Sequence, residues 1–235
     1  MADPPPPRDV VVAVDIGSSS VRASAYEVNA ETGPVPLEGC FVQLHGRALD
    51  GSGVGGANDL RVRVEDALWG LHARLLEFGN GSDDHSADPK PRPNPKVRVR
   101  VVGFDCFAMN LVGVDENLNP VTPLYSYADR HPGTFAAVAE LKAGLGLGSG
   151  SGSGSGLGLE AEYHQRTGCP FHSGYALPQL IRIGREEPER LRRVRHWQSL
   201  VGFCLSQWRG PGPDPNPNPN PKPNPNPNAG DKPDP

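Results

Sequence analysis

Asp9-Val10-Val11-Val12-Ala13-Val14-Asp15-Ile16-Gly17-Ser18-Ser19-Ser20-Val21-Arg22 is the stretch from which the fold is read. Val10 to Val14 are apolar and mostly β-branched, the composition of a strand buried on both faces. The run ends at an acid, Asp15. A glycine and three small hydroxyl residues follow, and then a second β-rich run from Val21 to Val28. The pattern predicts strand, tight turn, strand. Gly17 is expected to give the turn a backbone conformation closed to other residues. Small residues after it leave backbone N–H groups free to face a ligand, and such a concave turn suits an anion such as phosphate. Asp15 at the strand end can hold a hydrated Mg²⁺ beside that anion, and Arg22 adds a fixed positive charge. From the dipeptides alone, an ordinary β-hairpin with an Asp in its turn fits as well.

Further along, Cys40 to His45 reads as a third strand, completing an antiparallel meander. Leu60-Arg61-Val62-Arg63-Val64 alternates and reads as extended. A helix is expected from about Val64 to Phe78, with Val64, Leu68, Leu71 and Leu75 as its apolar stripe, Glu65 and Asp66 in its first turn, and Gly79 ending it. Gly51-Ser52-Gly53-Val54-Gly55-Gly56 satisfies Gly-x-Gly-x-x-Gly. A dinucleotide site needs that turn pinned between a buried strand and an immediate helix. The flanks, Asp50 and Ala57-Asn58, do not supply this, so a flexible loop is the better reading.

Val97 to Phe104 reads as a strand continuing into Asp105 to Asn110. Leu111 to Asp115 is another, and after a turn at Asp115 to Pro120 the run Pro120 to Tyr127 returns as a hairpin. Thr134 caps a short helix reaching Ala143. Glu160 to Arg166 is helical and stops at Gly168. Leu177 to Glu187 is a helix with Pro178 in its first turn, and Ser199 to Trp208 is a last apolar helix stopped by Gly210. Arg182, Arg185, Arg190, Arg192, Arg193 and Arg195, interleaved with Glu186, Glu187 and Glu189, read as a solvated face rather than a nucleic-acid patch.

Two blocks of this sequence resemble the FGGY carbohydrate kinases, within the sugar kinase/Hsp70/actin superfamily. The first is Asp-x-Gly-(Ser/Thr)-x-x-x-Arg at Asp15, Gly17, Ser18 and Arg22, with Ser18 where the family usually has Thr. The second is Val101 to Asp129, which carries Gly-Val-Asp, a turn, Pro-x-x-Pro-Leu, an aromatic residue and an acid. Thr167-Gly168-Cys169-Pro170-Phe171-His172 is similar to the gluconokinase-like branch. That branch has Trp-His where this chain has Ala108-Met109, so two sugar-facing positions are apolar here.

The resemblance implies an α/β, ribonuclease H-like (actin-like ATPase) domain. Its mixed sheet opens with a three-strand meander and carries packed helices. It also implies ATP and Mg²⁺ as cofactors and a sugar or sugar acid as the small-molecule partner. Gly17, Ser18, Ser19 and Arg22 would bind phosphate, Asp15 the metal, and Met109, Asp129 and His172 the substrate. By residue type alone, Met109 reads as core, Asp129 as a surface acid at a helix start, and His172 as a structural histidine. No catalytic residue is assigned, because in that family the catalytic Asp lies further along than Gly210 and a second domain grips the nucleotide. The chain is therefore expected to be an incomplete and inactive kinase portion. A non-catalytic sugar-binding or regulatory remnant of the same fold is the alternative, and a dinucleotide-dependent oxidoreductase using Gly51 to Gly56 is a weaker third.

Composition sets the outer limits. Of 235 residues, 29 are Gly and 27 are Pro, and they cluster, leaving roughly 160 residues for one core. The organisation expected is a disordered lead at 1–8, a partial kinase domain at 9–210 with flexible inserts at about 79–95 and 144–158, and a disordered Pro/Asn-rich tail at 211–235. A net charge of −4 offers nothing to nucleic acid or an anionic membrane. No apolar run nears the ~20 residues a bilayer span needs. The amino terminus lacks the features of a signal peptide. Cys40, Cys106, Cys169 and Cys204 are scattered, as for small apolar fillers in a reducing cytoplasm.

Overall fold

A computed structural model describes residues 7–29, 31–79, 97–144 and 156–210. The lead at 1–6, most of the first expected insert, 145–155 and the tail lie outside the described residues. The central element is a four-stranded mixed sheet in the order β3-β2-β1-β5. Strands β1 (Arg8–Ile16), β2 (Ser20–Asn29) and β3 (Gly33–His45) form the expected antiparallel meander. Strand β5 (Val97–Cys106) then lies parallel to β1, with a register irregularity between Val10 and Val11. Arg8 belongs to β1, so the sheet takes in the last residue of the expected lead.

The alternation of β1 decides what is covered. Val10, Val12, Val14 and Ile16 are buried, whereas Val11, Ala13 and Asp15 are partly or fully exposed. The expectation of a strand buried on both faces is corrected: it is buried on one. The buried face meets Leu60, Val64, Ala67, Leu71 and Leu75 of helix α1 (Ala57–Gly79) and Leu200, Phe203 and Cys204 of a later helix, α6 (Leu200–Arg209). α1 starts where an extended segment was expected. Leu60 and Val64 share a helical face four residues apart, and Val62 between them is 45% exposed. A three-residue alternation is satisfied by both periods, and the longer helical stripe wins. Asp59, not Glu65 or Asp66, is the acid of the first turn. β3 runs well upstream of Cys40 despite Pro34 and Pro36, because an edge strand tolerates proline.

The rest is a smaller layer. Two-residue strand β4 (Val54–Gly55) pairs with β7 (Leu124–Tyr125), and β6 (Val112–Val114) pairs with β8 (His196–Gln198). The hairpin expected between Leu111 and Tyr127 survives only as isolated bridges, Leu111 to Tyr125 and Val114 to Pro120. Helices α2 (Pro132–Gly144), α3 (Gly156–Thr167), α4 (Ala176–Glu186) and α5 (Pro188–Arg193) complete it. α3 begins at Gly156, inside the stretch expected as an insert at about 144–158. α6 begins as expected, with Ser199 Oγ accepting from Gly202 N at 3.1 Å. No described helix is long and apolar enough to cross a membrane.

Candidate functional site

The corner between β1 and β2 is built by cross-strand register. Asp15 lies opposite Arg22 on β2 and beside Asp105 on β5, so all three belong to the uncovered face of the sheet at the C-terminal end of β1. Arg22 Nη1 donates to Asp15 Oδ2 at 2.9 Å, with both side chains nearly half exposed. A surface pair of this kind is worth about 0–1 kcal/mol, so a competing anion or cation can open it cheaply. Gly17 N donates to Ser20 O at 2.9 Å, while Ser18 O and Ser19 O accept from Ala48 N and Gly46 N. Among the described residues, no internal acceptor takes the Ser18 or Ser19 N–H. Two free donors therefore sit beside a carboxylate and a guanidinium.

Gly17 is required for a different reason from the expected one. Its φ is not positive. A Cβ there would lie 3.0 Å from Ser20 O, tight against the backbone of the turn. Asp105 was missed by sequence reasoning. The available signal was its place at the end of a strand parallel to the first, where open α/β sheets bind ligands. Mg²⁺ is held by one or two carboxylates, keeps several waters and takes further ligands from substrate phosphates. Asp15 and Asp105 fit that donor set. No described group of three or more His, Cys, Asp or Glu forms a dedicated metal cage.

The expected substrate residues do not form one cluster. Met109 is not core: it is 42% exposed and has φ 55, a left-handed conformation uncommon for a non-glycine residue. It follows Phe107, whose N–H donates to Ile16 O at 3.1 Å and ties this loop to the β1 end. The Phe107 ring meets Tyr127 edge-on at 6.3 Å. A Cβ on Gly174 would lie 3.0 Å from both Tyr127 O and His172 Nδ1, which places His172 near Tyr127. His172 is exposed and its Nδ1 accepts from Gly174 N at 2.9 Å.

Asp129 behaves differently. It is 3% exposed, so it is not the surface acid that residue type alone implied. Oδ1 accepts from His131 N at 2.8 Å and Oδ2 from Thr134 Oγ1 at 2.9 Å. α2 starts at Pro132, so Thr134 is not its cap; its hydroxyl reaches back to Asp129 instead. Asp129 lines a cavity of about 340 Å³ and His172 a separate one of about 120 Å³.

The Gly51 to Gly56 loop is held by hydrogen bonds at both ends. Asp50 Oδ1 accepts from Ser52 N, Ser52 Oγ and Val54 N, and the Ser52 hydroxyl foremost holds its carboxyl below the usual range. Gly53 has φ 85, and a Cβ there would lie 2.6 Å from Asp129 N and closer still to the Ala128 carbonyl. α1 does begin at once after the loop, but the strand before it is the antiparallel pair β4–β7 rather than a buried parallel strand. The glycines serve backbone packing, which removes the dinucleotide reading.

Several solved structures that share this fold are sugar kinases. Gluconate kinase from Lactobacillus acidophilus matches 85% of this chain with a TM-score of 0.58 at 11% identity. Xylulose kinase from Rhodospirillum rubrum matches 84% with a TM-score of 0.60 at 15% identity. Plasmodium falciparum glycerol kinase, solved with ADP, matches 87% with a TM-score of 0.55 at 10% identity. The likeness covers only 33–35% of those chains, so this chain spans about a third of their length. At such identity the likeness is one of fold. No family model and no curated protein matches the sequence.

Proposed function

We propose that the chain is the amino-terminal portion of an FGGY-type carbohydrate kinase, with the ribonuclease H-like, actin-like sheet of that superfamily. The observation that carries this is the corner just described: Asp15 paired with Arg22, Asp105 in register, and the free Ser18 and Ser19 N–H groups at the end of β1. Phosphoryl transfer is mostly positioning and charge stabilisation. In this reading Gly17, Ser18, Ser19 and Arg22 receive the terminal phosphates of ATP. Asp15, supported by Asp105, would hold hydrated Mg²⁺, which when bound would neutralise phosphate charge. Arg22 leaves Asp15 for the phosphate at little cost because their pair is exposed.

Met109, with His172 near Tyr127, forms the side facing the sugar or sugar acid. The left-handed backbone at Met109 supports this, since such strain gathers at ligand sites. Asp129, expected to bind substrate, serves that side with its carboxylate engaged by His131 N and Thr134 Oγ1 at the start of α2. The protein works in the cytoplasm. In this reading the chain alone turns over negligibly, because the described residues supply a cradle and part of a pocket, and none of them is assigned as the base for the attacking hydroxyl.

Calorimetry with Mg·ATP and with gluconate or a pentulose, alongside a coupled ADP-release assay, tests the reading. Expected are sugar binding, nucleotide binding lost in Asp15→Ala, and no ADP release. Sugar-dependent ADP release overturns the inactivity. Affinities unchanged in both Asp15→Ala and Met109→Gly overturn the site. Sugar binding with no nucleotide binding in the unaltered chain replaces the kinase portion with a non-catalytic sugar-binding remnant.

A further inference from the structure

The cavity beside Asp129 has a composition that the kinase reading does not use. Its wall is formed by the segment around Pro123 to Pro132, the ends of α4 and α5, and Ser52 and Val54. Three guanidinium groups line it, those of Arg130, Arg182 and Arg190, against two carboxylates, Asp129 and Glu187. Both carboxylates are already engaged. Asp129 is taken by Thr134 and His131 N, and Glu187 is shared between Arg182, at 2.9 Å, and Arg190. Arg130 has an exposed side chain with no ion pair among the described residues.

The solvated face expected for Arg182 is corrected by its burial. Arg182 is 5% exposed and lies over the Tyr125 ring at 5.3 Å. Arg182 Nε and Tyr125 Oη are both buried without a hydrogen-bond partner. A buried unpaired donor costs about 1–3 kcal/mol, and two of them on one wall call for an explanation beyond packing. Glu186 stands 3.8 Å from Arg182 and 3.5 Å from His131, so the charges around the cavity balance, and what remains is an unpaired Arg130 guanidinium, unpaired buried donors and a volume within the range of small-molecule sites.

We propose that this cavity binds a small molecule bearing an oxyanion, a carboxylate or a phosphate ester, with Arg130 and Arg190 at its mouth and Arg182 and Tyr125 behind them. The site is distinct from the β1–β2 corner and does not depend on the kinase reading. The fixed fork of a guanidinium suits planar carboxylate and tetrahedral phosphate alike. The Arg182–Glu187 pair stays in place, so the anion meets a preformed wall and pairs with the Arg130 guanidinium.

The test is calorimetry on the full chain with gluconate, inorganic phosphate and neutral glucose as probes. Saturable binding of gluconate or of phosphate is expected, and whichever binds tighter names the oxyanion; glucose is not expected to bind here. Arg130→Ala, an exposed residue whose loss leaves the fold intact, is expected to weaken the anion by roughly tenfold or more, the worth of one charge-assisted hydrogen bond. Arg22→Ala is expected to leave it unchanged. Binding that survives Arg130→Ala but is lost in Arg22→Ala assigns the anion to the β1–β2 corner and overturns the proposal. So does an affinity for glucose equal to that for gluconate, or no saturable binding of either anion.

Discussion

Gly53→Ala tests whether the glycine-rich loop is a packing device. Two costs add. The backbone at φ 85 penalises an L side chain, by about 1–2 kcal/mol. The new Cβ also falls inside contact distance of the Ala128 carbonyl and lies 2.6 Å from Asp129 N. Because those are backbone atoms, the two segments must part. Parting them releases Ser126 Oγ to Gly53 O at 2.7 Å and Arg130 N to Ser52 O at 3.2 Å, at about 1 kcal/mol each. The expected loss is about 3–4 kcal/mol, which at a typical urea slope lowers the unfolding midpoint by about 1–2 M. Gly51→Ala is the control from the same loop: its φ is not positive and nothing lies within 4 Å of the new Cβ, so its midpoint should not move. Equal midpoints for the two variants would refute the reasoning.

Asp129→Ala removes the acceptor of one buried and one part-buried hydrogen bond and is expected to cost about 2–4 kcal/mol, lowering the melting temperature by about 5–15 °C; a shift under 2 °C would return Asp129 to a purely ligand-facing role. Met109→Gly relieves the left-handed backbone and should raise stability by about 1 kcal/mol in a urea titration, while weakening sugar binding. Burial pushes the Cys204 thiol up from 9.0 to about 12. The unfolded chain therefore loses that proton first, and stability should be intact below pH 9 and fall as pH rises from 9 towards 12, by at most about 1.4 kcal/mol per pH unit. Cys204→Ser should flatten that slope. Exposed Cys169 should react with a thiol reagent in the native state, while buried Cys40 and Cys204 should not.

The first sheet was legible because one feature carried each strand. Val10 to Val14 announced β1, and Asp15 to Arg22 fixed both the turn and the register that pairs those two residues. What was hidden depended on neighbours far away in sequence. Nothing local tells that Leu60 and Val64 both face the sheet, or that Gly53 must admit the Ala128 carbonyl. β8 was missed since three residues, His196 to Gln198, become a strand only by pairing with β6. Arg182 looked like one charge in a solvated run; its burial depends on Tyr125, which lies 57 positions earlier. Asp105 emerged from parallel register, which no motif spells out. The same holds for Asp129, whose identity was legible and whose inward engagement with Thr134 was not.

β5 borders the sheet, and among the described residues it pairs only with β1. Its outer backbone groups have no described mate, and Val99, Val101 and Val102 are 46%, 58% and 42% exposed beside them. A seam of that kind is adhesive towards any extended polypeptide. The alternating prolines of the chain's own tail deprive it of the amide hydrogens a mating strand must offer. Arg98 and Arg100 stand along the seam sharing Asp9, at 2.7 and 3.9 Å, so one net positive charge is left to deter clumping, and it is dulled by salt. Concentrated stocks should therefore cloud sooner in strong brine than in dilute buffer.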